Sequence, residues 1–331
     1  MSHTITSTPD ATIPSAMETP PPDISQLDRV AYLFGYPIAH SLSPLFHGTI
    51  FRSLSLNYLQ HLYETRTLTD CLELTKNPKF LGASVTMPFK VAIIPYLDQL
   101  SPEGAAIGAI NTIYHRISPS GEKILCGTNT DCIGIREALL QNASPSTISS
   151  IKGSAGMVIG GGGTCRAAVY TLKKFLGCDI VYMVNRDKSE CDAVIAECTS
   201  NGFGDGLLYI ESIAQAESLP TPRVIVSAIP DFTPISEDEH RARGIITEFL
   251  NKGEKGAILE MCYHPSPDTQ IAALATNAGW QVVPGVEAMI YQGLEQDKAW
   301  LGVEVEKLPV KEVRRVVLEK LASDREKHAR L

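Results

Sequence analysis

From residue 30 the chain alternates short apolar runs with stretches whose apolar residues recur at helical spacing. Val30-Ala31-Tyr32-Leu33-Phe34, stopped by Gly35, reads as a buried strand. Residues 57–63 and 82–86 read as further strands, and 44–53, 68–76 and 91–97 as helices. A second alternating run starts near Ile151, with strands expected at 156–159, 180–184, 206–210, 223–228, 257–261 and 281–283 and a helix at 164–176. Residues 287–301 form a long helix candidate, 310–321 a charged amphipathic one, and the last ten residues are polar and expected to fray. Residues 1–27, rich in Thr, Ser and Pro, read as a flexible arm. Taken alone, this order predicts two α/β domains in series, the second a doubly wound parallel sheet.

Composition narrows the class. A length of 331 residues fits about two domains. The 29 basic residues are dispersed and outnumbered by 37 acidic ones, which argues against a nucleic-acid partner. No run approaches the ~18 apolar residues that span a bilayer, and the N-terminus lacks a secretory pattern. Eight cysteines form no CxxC pair and no Cys/His cluster at zinc spacing. They are expected as reduced, mostly buried thiols, with no metal site and a cytoplasmic location. The expected partner is a small molecule, with no membrane or nucleic acid, and the chain a monomer or homodimer.

Gly160-Gly161-Gly162-Gly163-Thr164 follows a strand and opens a helix. Without Cβ atoms the backbone there can turn tightly and bring helix-start N–H groups to a pyrophosphate. The strict GxGxxG pattern fails at Cys165, and a plain tight turn is the alternative. The next strand ends at Asn185-Arg186-Asp187. An acidic residue here suits the ribose of NAD and a basic one the extra phosphate of NADP. Asp187 would repel that phosphate, so NAD is expected, with NADP second. A solvated turn is the competing reading.

Four polar segments lie upstream, at residues 35–44, 84–90, 108–112 and 127–131. Each sits at a strand end or helix start, where open α/β sheets bind ligands. Singly they could be caps, turns or surface charge: Ser43 and Asp131 as helix caps, Asn111 in a turn, Lys90 exposed at a helix start. Together with the glycine loop, Arg166-Ala167, Asn185-Arg186, Tyr263 and residues 285–292, they resemble the shikimate/quinate dehydrogenases over about residues 30–301.

The resemblance implies an N-terminal α/β substrate-binding domain plus a Rossmann-like doubly wound dinucleotide-binding domain, with C-terminal helices returning to the first. The corresponding divisions are 1–27, 28–141, 142–286 and 287–331. It implies that Lys90 and Asp131 form the catalytic pair, and that Ser41, Ser43, Thr86, Asn111, Tyr263 and Gln292 bind substrate, the two serines clamping its carboxylate. Gly160, Gly161, Gly162, Gly163, Thr164, Asn185, Arg186, Asp187, Ala228, Gly285 and Met289 would meet the cofactor. A lysine serves as base only where its surroundings bring its pKa towards the working pH, and a carboxylate beside it works the other way. Ser84 stands where many shikimate enzymes carry Asn, and Asp187 where they commonly carry Thr. Residues 84–88 and 291–296 resemble the quinate-accepting branch. The expected activity is NAD-dependent oxidation of quinate, with shikimate as second substrate. The alternatives are an NADP-dependent shikimate dehydrogenase of aromatic biosynthesis and a non-catalytic quinate sensor.

Overall fold

The computed structural model describes residues 23–263 and 266–328, so residues 1–22 of the expected arm lie outside the described residues. Residues 23–27 are tied down, with Lys79 Nζ donating to the Ile24 and Ser25 carbonyls at 3.1 and 2.9 Å. The first lobe comprises β1 (Arg29–Gly35), α1 (Ser43–Ser53), β2 (Tyr58–Glu64), α2 (Leu68–Thr75), β3 (Phe80–Val85), α3 (Phe89–Ala92), β4 (Gln99–Leu100), α4 (Pro102–Ile107), β5 (Thr112–Ile117), β6 (Lys123–Thr128) and α5 (Asp131–Asn142). Its sheet runs β2-β1-β3-β5-β6-β4. β1 pairs in parallel with β2 and β3, and Val30 to Phe34 are buried on both faces, as a central parallel strand requires.

The antiparallel pair β5 and β6 was not among the expected strands. Thr, His and Arg interrupt the apolar pattern of β5, and its cover comes from the far end of the chain. Trp300 Nε1 donates to the Ile113 carbonyl at 3.2 Å and Gln296 Nε2 to Thr112 Oγ1 at 3.0 Å. The helix expected over 91–97 is instead α3 followed by a 3-10 turn, Ile94–Tyr96. Pro95 lacks the N–H that would continue an α-helix.

The second lobe comprises α6 (Pro145–Ser149), β7 (Ala155–Ile159), α7 (Gly163–Tyr170), β8 (Ile180–Val184), α8 (Lys188–Ser200), β9 (Leu207–Tyr209), α9 (Ile213–Ser218), β10 (Val224–Ser227), α10 (Glu237–Asn251), β11 (Ala257–Glu260), α11 (Gln270–Asn277) and β12 (Gln281–Pro284). All six strands are parallel, in the order β12-β11-β10-β7-β8-β9. The winding changes direction between β7 and β10. That switch point leaves a crevice at the strands' carboxyl ends, and the glycine loop after β7 opens into it. The helix expected over 164–176 ends at Tyr170 and continues as a π turn, Thr171–Phe175. Buried Thr171 donates through Oγ1 to the carbonyls of Ala167 (2.8 Å) and Cys132 (3.0 Å), spreading the helix while tying it to α5.

α12 (Gly285–Leu301) and α13 (Val310–His328) return to the first lobe. Ile290, Leu294 and Trp300 of α12 and Val313 and Val317 of α13 share a core with Phe46, Ile50 and Phe51 of α1. α13 runs past the expected end at 321. Ion pairs Arg315–Glu319 and Lys320–Asp324 at i,i+4 spacing, together with Arg325–Asp268, hold its last turns. All eight cysteines are free thiols, seven of them buried. Among the described residues no helix is long and apolar enough to cross a membrane.

Candidate active site

Where α1, α3, α5 and α12 meet the ends of β1 and β3, a cavity of about 260 Å³ opens towards the second lobe. Ser41, Ser43, Thr86, Lys90, Asn111, Asp131, Tyr263 and Gln292 all line it. Those eight come from six separate stretches of chain, and the fold brings them together. Ser41 and Ser43 stand at the start of α1, where first-turn N–H groups lack intrahelical partners. Ser41 Oγ takes one of them, accepting from the Ser43 N–H at 3.2 Å.

Lys90 sits in the short helix α3 after Pro88, and Asp131 is the first residue of α5. Lys90 Nζ lies 2.6 Å from Asp131 Oδ2, with both side chains largely shielded at 16% and 13% exposure. Lys90 is therefore not the exposed helix-start lysine that composition alone allowed. The other carboxylate oxygen, Oδ1, accepts from Asn111 Nδ2 at 2.7 Å. Asn111 is itself fixed: its Oδ1 accepts from Thr130 N and Thr112 Oγ1, each at 2.8 Å. Both oxygens of Asp131 thus have assigned donors, and one of them is the lysine.

A second layer of polar side chains backs these residues. Ser84 Oγ donates to Gln296 Oε1 at 2.8 Å and accepts from Gln60 Nε2 at 3.1 Å. His47 Nδ1 lies 2.7 Å from Asp297 Oδ2, both side chains almost wholly buried. Burial pushes the Asp297 carboxyl up, and His47 opposes that shift. His47, Ser84 and Gln296 reach the cavity, and the expected site residues did not include them. A helical signal was available, since His47 follows Ser43 and Gln296 follows Gln292 by four residues. The Tyr263 phenol is pushed up to about 12, by burial first and Cys262 second, so it stays a neutral O–H donor.

Most of the expected cofactor residues lie along the adjoining crevice. Gly160 has φ +121°, a conformation that L side chains rarely adopt, and a Cβ there would meet Cys165 Sγ at 2.8 Å. Gly162 faces open space, with no heavy atom within 4 Å of where a Cβ would stand. Thr164 lies in the first turn of α7, whose leading N–H groups also lack intrahelical partners. That open cradle before a helix start fits a pyrophosphate. A Cβ on Gly163 would lie 3.9 Å from Lys90 Cδ, so the loop and the Lys90–Asp131 pair share one cleft. Ala228 flanks the loop, its N–H donating to the Ile159 carbonyl at 2.9 Å. Gly285 and Met289, at the start of α12, line the first cavity rather than the glycine loop. At the far end, Asn185 Nδ2 donates to Glu190 Oε2 at 2.6 Å. The exposed Asp187 caps α8, accepting at Oδ1 from Ser189 N at 2.8 Å.

Beneath the crevice, Glu260 is 2% exposed at the end of β11. Its Oε1 accepts from Cys262 N at 3.1 Å, while Oε2 and the neighbouring Ser227 Oγ lack a well-formed hydrogen bond among the described residues. Burial pushes this carboxyl up from 4.5 to about 7. A raised folded-state pKa means the stabilisation is fully present below about 4.5 and is lost as pH rises through 7. Glu260→Gln is therefore expected to be more stable than the parent near pH 8, by on the order of 3 kcal/mol, and so to unfold at higher temperature there, and near pH 5 to differ much less. Thermal unfolding of both proteins across that range checks it, and an equal offset at every pH would contradict it.

Comparison with known proteins places this geometry. Residues 33–113 match the family model described as the shikimate dehydrogenase substrate binding domain. A quinate dehydrogenase of Emericella nidulans is 45% identical over 294 residues, covering 84% of this chain and 89% of that one. A shikimate 5-dehydrogenase from Thermus thermophilus, solved in complex with shikimate, superposes with a TM-score of 0.68 at 27% identity, over 89% of this chain and 99% of that one. A quinate dehydrogenase from Corynebacterium glutamicum in complex with NAD shares the fold, with a TM-score of 0.71 at 18% identity over 88% and 99% of the two chains.

Proposed function

This chain belongs to the shikimate/quinate dehydrogenase family, and on that footing we propose that it oxidises a ring hydroxyl of quinate, and secondarily of shikimate, with NAD as acceptor. The observation that carries the reading is the Lys90–Asp131 contact of 2.6 Å inside the cavity that all eight expected catalytic and substrate-binding residues line. Bound in the crevice over residues 160–164, a nicotinamide dinucleotide supplies hydride acceptance. The chain supplies proton transfer and orientation. In oxidation the Lys90 amine takes the proton of the reacting hydroxyl; in the reverse direction its ammonium gives that proton to the carbonyl oxygen. Asp131, steadied by Asn111, holds Lys90 and offers an acceptor to a substrate hydroxyl. Gln292 faces the same space from α12. The eight free thiols fit a reducing compartment such as the cytoplasm.

The substrate carboxylate is assigned to the start of α1. Ser41 and Ser43 offer hydroxyls, the helix start offers N–H groups, and Tyr263 offers a neutral phenol. Quinate carries one tertiary hydroxyl more than shikimate, on the carbon bearing the carboxylate. Ser84, smaller than the Asn of many shikimate enzymes, lines this cavity and leaves room for it. Ser41→Ala and Ser43→Ala are expected to raise KM for quinate roughly tenfold or more with kcat much less changed, since they hold a non-reacting group. Steady-state kinetics on both variants test this. Equal binding of quinate and its carboxamide by the parent enzyme would remove the clamp from the account.

A further inference from the structure

A second cavity, of about 480 Å³, lies beyond the end of β8 against the start of α10. Arg186, Asp187 and Lys188 line one side and Asp238, Glu239 and Arg241 the other. In the dinucleotide reading, on which this inference rests, the residues after the second strand of the sheet face the adenosine ribose. A 2′-phosphate there needs a cation with donors to spare. Three cations are present and each is engaged by a carboxylate. Arg186 pairs with Glu239, Arg241 with Asp238, and Lys188 with Asp192 at 2.6 Å.

The Arg186 pairing differs from the other two. Lys188–Asp192 and Arg241–Asp238 are local pairs on one helix, at i,i+4 and i,i+3. Arg186 and Glu239 are 53 residues apart and join the two sides of the cavity. Glu239 is also built into the backbone. Its Oε2 accepts from Ile235 N at 2.9 Å and Ser236 N at 3.1 Å, closing a capping box with Ser236 at the start of α10. Those N–H groups, with Arg186, hold its carboxyl down at about 2, so it is ionised throughout the working range. Its side chain is 13% exposed, whereas that of Arg186 is 58% exposed. The anion is fixed and the guanidinium is drawn onto it.

We propose that Glu239 is a cofactor-specificity residue: by engaging the Arg186 guanidinium from across the cavity, it withholds the cation that a 2′-phosphate would require. Arg186 alone would mark an NADP site, and Glu239 makes it compatible with NAD. Glu239→Gln isolates the charge, because the amide oxygen can still accept in the capping box and α10 keeps its start. The experiment is titration calorimetry of NAD and NADP into the parent protein, Glu239→Gln, Arg186→Ala and the double variant, with melting curves to check folding. Glu239→Gln is expected to raise NADP affinity relative to NAD about tenfold, and the double variant to return to the ratio of Arg186→Ala. An unchanged ratio in Glu239→Gln, a gain that persists without Arg186, or a parent that already favours NADP would overturn the proposal. A parent that binds neither dinucleotide would instead remove the cofactor reading beneath it, and the two failures are told apart by NAD binding to the parent.

Discussion

Replacing Lys90 with alanine is expected to lower kcat at least about a hundredfold, with dinucleotide affinity little changed. Lys90 Nζ donates to Asp131 Oδ2 at 2.6 Å, and alanine leaves no group there to carry a proton. The Asp131 carboxylate would keep its bond from Asn111, so the pocket retains its shape while losing the group proposed to exchange the proton. Lys90→Arg is the discriminating companion. It preserves the positive charge opposite Asp131, yet a guanidinium does not give up a proton in the working range. If Lys90 acts as acid and base, arginine keeps the charge but does not restore turnover. If it only neutralises Asp131, arginine restores much of the rate. Single-turnover rates of both variants, beside their dinucleotide affinities, decide between these. Near-parental turnover in Lys90→Ala would take Lys90 out of the mechanism.

The second large effect concerns Asp187. One oxygen of its carboxylate is occupied, because Oδ1 accepts from Ser189 N and Ser189 Oγ at the start of α8. Those bonds hold its carboxyl below the usual carboxylate value. The second oxygen is the one assigned to the ribose hydroxyls. Asp187→Ser keeps a side chain that can cap the helix and removes the negative charge together with the oxygen assigned to the ribose. NAD should then weaken by roughly ten- to hundredfold, the scale of a charge-assisted hydrogen bond of about 1.5–3 kcal/mol. NADP should gain from the loss of repulsion. The ratio of kcat/KM for the two cofactors measures both effects at once. A ratio equal to the parent's would reduce Asp187 to a helix cap.

Much of this site was legible in the sequence because its chemistry is carried by short local motifs. Ser41 and Ser43 mark the start of a helix within three residues of Pro44, Lys90 closes the stretch after β3, and the glycine loop sits between a strand and a helix. What stayed hidden depends on distance along the chain. Ser84 meets Gln296 across 212 residues and His47 meets Asp297 across 250, and no periodicity encodes such a pairing. β5 escaped for a similar reason, since its polar positions are covered by α12 rather than by neighbours in sequence. The capping-box pattern of Ser236 and Glu239 can be read locally, but the Arg186 it restrains cannot. Pro95, by contrast, was visible in the sequence and should have ended the helix expected over 91–97.

Initial rates with quinate and shikimate, each paired with NAD and with NADP at equal concentration, test the central claim most directly. The proposed serine clamp, the Lys90–Asp131 contact and the Arg186–Glu239 ion pair predict that quinate with NAD is fastest, that shikimate with NAD is slower but measurable, and that both rates fall with NADP. No reduction of either dinucleotide by either acid, from a folded protein, would contradict the assignment.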